Sequence, residues 1–88
     1  MNRTTVLEEA DRLICNDREE DYGDPHVNFA HIAERWSQYM DVTIHPWQVA
    51  LMMVDLKVAR MASTRAPHDD SLIDIAGYTA LAAELAHD

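Results

Sequence analysis

The chain alternates between stretches that repeat apolar residues at helical spacing and short polar breaks. Leu7, Ala10, Leu13 and Ile14 recur at intervals of three and four. Thr5 followed by Glu8 makes a capping-box pattern ahead of them, so the spacing predicts a first helix from about Thr5 to about Asp17. The run 16–25 is polar and carries Gly23 and Pro25, which predicts a long loop. Pro25 suits a first helical position with Asp24 as N-cap, and Phe29, Ile32, Trp36, Tyr39 and Met40 give a second helix an apolar stripe ending near Asp41. A third helix begins at Pro46 after His45 and runs through Met61. It carries two stripes: Val49, Met52, Met53 and Leu56, then Trp47, Leu51, Val54, Val58 and Met61. The fourth starts near Ser71, with Leu72, Ile75, Ala76, Ala82 and Ala83 on one stripe and Tyr78, Leu81 and Leu85 on another. Only Val42–Ile44 suggests extended chain, and it is too short to found a sheet.

These elements predict an all-α fold, a small antiparallel bundle of about four helices forming one domain over residues 1–88. A chain of 88 residues buries a modest core, and helix three is more apolar than one bundle contact requires. Both features predict a homo-oligomer in which part of helix three meets another subunit.

Charge narrows the range of partners. Sixteen acidic against seven basic residues give a net charge of −9, which opposes binding to nucleic acid and to anionic membrane. A small anion is still compatible where carboxylates hold a divalent cation. The lone Cys15 has no internal disulfide partner, and no run is long and apolar enough for a membrane span or a secretory leader. The expected location is the cytoplasm.

Asp55 is the most informative position for chemistry. Its neighbours one turn away are Leu51, Met52, Val58 and Ala59, so its carboxylate is expected to face packed surface. It would serve there as one half of a buried ion pair or hydrogen bond, or as a metal ligand or general base. On helix four, Asp70 and Asp74 lie one turn apart and suit a hard divalent ion. Ser71 and Asp74 equally form a capping box, with Asp69 and Asp70 as ordinary N-terminal acids. Lys57 and Arg60 share a polar edge of helix three, available to phosphates or simply solvated. Arg18 and Tyr22 in the long loop offer a charge and a stacking face beside Asp24 and Asn28. The histidines show no paired zinc spacing. Gly77, inside helix four, marks a close approach by a neighbouring helix or a ligand, with helix packing the favoured cause.

The runs Arg18-Glu-Glu-Asp-Tyr-Gly-Asp-Pro25 with Asn28-Phe29, Ala50-Leu-Met-Met-Val-Asp-Leu-Lys-Val-Ala-Arg60 and His68-Asp-Asp-Ser-Leu-Ile-Asp-Ile-Ala-Gly-Tyr78 resemble a family of small phage-encoded proteins of unknown function. More distantly, Tyr-Gly, then Lys and Arg on one helix, then an acidic helix with Asp-x-x-x-Tyr, is similar to phage nucleotide-modification proteins and to MazG-like all-α nucleotide pyrophosphohydrolases. Here Glu8-Glu9-Ala10-Asp11-Arg12 lacks the spaced glutamates of the MazG pattern. That resemblance implies Mg²⁺ held by Asp55, Asp70 and Asp74, with Asp55 and Asp74 catalytic. It also implies phosphate contacts by Lys57 or Arg60, and these two with Arg18, Tyr22, Asp24, Asn28 and Tyr78 are the candidate nucleotide-binding residues.

Three functions follow as expectations. The first is Mg²⁺-dependent hydrolysis of a (deoxy)nucleoside triphosphate to monophosphate and pyrophosphate. The second is a non-enzymatic phage protein that sequesters a nucleotide signal of host immunity. The third is a protein–protein interaction module, whose mark would be an exposed apolar stripe on helix three in the single chain.

Overall fold

A computed structural model describes residues 1–17 and 23–87. Helix α1 spans Arg3–Arg12 and continues as a π-helical turn over Leu13–Asp17; α2 spans Pro25–Met40, α3 Pro46–Thr64 and α4 Asp69–Ala86. The described residues form an all-α bundle with no strand, Val42–Ile44 being part of a connection.

Local chemistry sets the ends. Asn2, not Thr5, caps α1, its side chain accepting from the Thr5 backbone N–H at 2.8 Å, so the helix starts two residues earlier than the capping-box pattern predicts. Gly23, at φ +79°, turns the chain into α2. The Asp24 side chain then accepts from the His26 backbone N–H, with Pro25 in the first turn. Gln48 closes the start of α3 by accepting from the His45 backbone N–H at 2.8 Å. α4 starts at Asp69, and Ser71 lies buried inside its first turns, so the Ser71/Asp74 capping box does not form.

Two connections fix the packing order. Asp41 and Arg65, both non-glycine, adopt the left-handed conformation (φ 53° and 56°) that ends α2 and α3. Ser37 ties the first connection down, donating to the Ala33 carbonyl at 2.7 Å and accepting from the Ile44 backbone N–H at 2.8 Å. The short second connection makes α3 and α4 an antiparallel pair, with Lys57 beside Asp74 and Trp47 beside Leu85.

The core lies between α2, α3 and α4: Phe29, Ala33, Val49, Ala50, Tyr78, Leu81, Ala82 and Leu85, with Ile32, Trp36, Trp47, Met53 and Val54 packed around them. On α4 the stripe of Tyr78, Leu81 and Leu85 is buried, and the other predicted stripe divides: Ala82 enters the core, whereas Leu72 and Ala83 face outward. Tyr39 and Met40, expected in the stripe of α2, are exposed because the last turn of that helix runs past the core to its reversal at Asp41. α1 closes one flank of α4. A Cβ placed on Gly77 would stand 2.9 Å from Ile14 Cγ2, so this glycine answers a helix contact, as favoured from sequence.

Helix α3 divides each of its predicted stripes. Val49, Ala50, Met53 and Val54 turn inward, while Leu51, Met52, Leu56 and Val58 remain 41–48% exposed in the single chain. Asp55 sits on this outward face and is itself exposed, so the expectation that it meets packed surface fails within one chain. Its apolar neighbours are real, but they are uncovered with it.

Candidate functional site

The expected polar edge of α3 also resolves differently from its prediction. Lys57 turns towards α4, where its ammonium lies 2.9 Å from Asp74 Oδ2, the two side chains being only 13% and 18% exposed. Arg60, three residues on, stays exposed. A lysine and an aspartate 17 positions apart therefore meet as a largely water-excluded ion pair, an arrangement held only when geometry is good. Two residues of helix separate Lys57 from Asp55 by about 200°, so Asp55 faces away from Asp74.

Asp74 also lines a groove of 290 Å³ between α1 and α4, with Glu9, Arg12, Leu13, Asp70 and Ile73; Lys57 adjoins this groove through Asp74 without lining it. Arg12 bonds Glu9 one turn back. Asp70 is exposed and makes no ion pair among the described residues. Among the described residues the lining holds three carboxylates and one cation, Arg12, and two of the three carboxylates have a cationic partner, Glu9 in Arg12 and Asp74 in Lys57. Of the expected metal set, Asp70 and Asp74 share the groove and Asp55 does not. Among the described residues, no three acidic, histidine or cysteine groups are arranged to hold an ion.

The other expected contacts scatter. Asp24 lies near the far end of α4, where His26 Nδ1 approaches Asp24 Oδ1 at 3.1 Å and His26 Nε2 lies 3.6 Å from Glu84 Oε2. The His26 backbone N–H and then its side chain hold the Asp24 carboxyl below the ordinary aspartate value. Asn28 engages through its backbone N–H, which donates to the Asp24 carbonyl at 3.0 Å. Tyr78 is buried against Phe29, with ring centroids 6.3 Å apart, and so is a core residue. Arg18 and Tyr22 lie outside the described residues. Sequence reasoning passed over Glu9 and Arg12, because their role in the groove depends on how α1 crosses α4. The signal available was Gly77, which marks where α1 comes close.

What fold and groove define is a small helical-bundle protein with an acid-rich groove beside its central helix pair. The chain belongs to the family described as a domain of unknown function, DUF6378, whose model matches residues 5–86. It is similar to the Gene 55 protein of Mycobacterium phage D29, with 43% identity over 74 residues, covering 84% of this chain and 48% of that protein. It is also similar to the Gene 55 protein of Mycobacterium phage L5, with 40% identity over 75 residues, covering 84% of this chain and 47% of that protein. These are phage proteins, and the chain spans about half the length of the curated relatives it matches. No solved structure matches it. No described helix is long and apolar enough to cross a membrane.

Proposed function

We propose that this chain is a nucleotide-handling phage protein whose ligand's phosphates enter the groove between α1 and α4. The observation that supports this is the groove in which Arg12, Glu9, Asp70 and Asp74 converge, with Lys57 paired to Asp74 at its margin. Arg12 offers a guanidinium that phosphate oxygens accept from, oriented by its carboxylate partner Glu9.

The same carboxylates constrain the form of the ligand. The three acids of the lining disfavour a bare polyphosphate, whereas a nucleotide that arrives with its own divalent cation meets a matching charge set. Magnesium is the ion the MazG resemblance implies, and Asp70 is the carboxylate placed to approach one. Glu9 and Asp74 are engaged by Arg12 and Lys57, so the groove as it stands does not make a coordination set. Hydrolysis to monophosphate and pyrophosphate is the activity the resemblance adds to this reading.

The test is calorimetric titration with a panel of nucleoside triphosphates and cyclic nucleotides, with and without Mg²⁺, followed by chromatography of each mixture. Binding that needs Mg²⁺ and weakens at least about tenfold in Asp70→Asn is the expected result. Products would establish the hydrolase, and binding without products the sequestering protein. Heat-silent mixtures with no products across the panel would refute the nucleotide reading. The uncovered apolar face of α3 favours a second reading, an assembly or interaction module.

A further inference from the structure

The outward face of α3 is graded in size along its length. Leu51, Met52 and Leu56 occupy its N-terminal half, and Ala59, Ala62 and Ser63 its C-terminal half. Beside the small residues lies a hollow of 490 Å³ lined by Leu56, Ala59, Arg60, Ser63, Thr64 and His68. Large side chains at one end and a hollow at the other make a surface that is complementary to itself when reversed.

We propose that this face pairs with a second copy of the chain, α3 against α3, antiparallel about a two-fold axis near residues 57 and 58. In that register Leu56 lies against the partner's Ala59 and Met52 against the partner's Ser63, and each contact occurs twice by symmetry. Asp55 comes to the level of the partner's Arg60, whose long side chain supplies a countercharge for a carboxylate set among apolar neighbours. Leu51, Met52, Leu56 and Val58 expose roughly 300 Å² in each copy, so a pairing that also covers the alanines between them buries on the order of 1,000 Å² in total, the size at which specific association begins.

Charge selects the copy over other occupants. On a chain of net charge −9, this face carries one carboxylate, so two copies approach here with little of the repulsion they meet elsewhere. A strongly basic partner would instead be drawn to the acidic surfaces. The proposal stands independently of the nucleotide reading, because Lys57 and the groove lie on the opposite side of α3.

The test is light scattering during size-exclusion chromatography over a range of concentrations, on the wild type and three variants at positions exposed in the single chain. The wild type is expected as a dimer. Leu56→Ala leaves a gap and Ala59→Leu fills the hollow, so each should weaken the dimer at least about tenfold. The double variant L56A/A59L restores a large residue against a small one across the same axis and should recover the dimer. A wild type that stays monomeric, a dimer indifferent to both single changes, or a double variant no better than either single one would overturn the proposal.

Discussion

Removing one member of the Lys57–Asp74 pair strands the other. In Lys57→Met the aliphatic stem is replaced by one of similar length, so packing against α4 persists while Asp74 loses its partner in a site where only 18% of its side chain meets water. A fully buried pair broken on one side costs about 3–5 kcal/mol, and an exposed pair about 0.2–1 kcal/mol. At these exposures the expected loss lies between, about 1.5–3 kcal/mol for Lys57→Met and similar for Asp74→Asn. Deleting both charges removes the stranded group as well, so the double variant should lose less than the sum of the singles. The coupling from a double-mutant cycle should reach about 1–2 kcal/mol. Urea denaturation followed by far-ultraviolet circular dichroism measures all four proteins, with the denaturant slope checked for constancy. A coupling below about 0.5 kcal/mol would refute the reasoning, since the pair would then behave as though bathed in solvent.

Two further outcomes follow from contacts already described. Gly77→Ala gains helix propensity of about 1 kcal/mol, yet its new methyl stands 2.9 Å from Ile14 Cγ2, and overpacking costs about 1–3 kcal/mol; a net loss of about 1 kcal/mol is expected in thermal denaturation, relieved when Ile14→Ala is added. Asp24 has a folded-state pKa below its unfolded value, so its contribution to stability is present above the ordinary aspartate range and fades as pH falls through the depressed folded value; a carbon-detected titration should find its midpoint below that of a solvated aspartate, and His26→Ala should raise it only part of the way, because the backbone N–H that lowers it most is kept.

The helices were legible because their signals are local. Asp24-Pro25 and His45-Pro46 mark starts that need no tertiary context, and α2 and α3 begin there; α3 ends at Thr64, three residues beyond the predicted Met61. Thr5 and Ser71 misled because a capping-box spelling is satisfied by sequence alone, whereas the cap in use depends on which residue leaves the helix. Asn2 supplied it for α1. The site was harder to read because it is made by crossing angles. A wheel of α3 shows that Lys57 and Asp55 oppose each other, but not which of them faces α4. The doubly apolar pattern concealed that choice, since both sides of the helix looked fit for burial. Glu9 and Arg12 gave no periodic signal, and only the approach of α1 to Gly77 brings them beside Asp70 and Asp74.

The bare face of α3 also sets how this protein behaves as a colloid. Away from its isoelectric point, near pH 4.7, the charge on the rest of the surface keeps molecules apart and lets only well-matched contacts persist. As acidification removes that charge, the exposed leucine and methionine side chains become adhesive in many geometries. The acidity of the sequence is then what keeps an uncovered apolar helix from indiscriminate association.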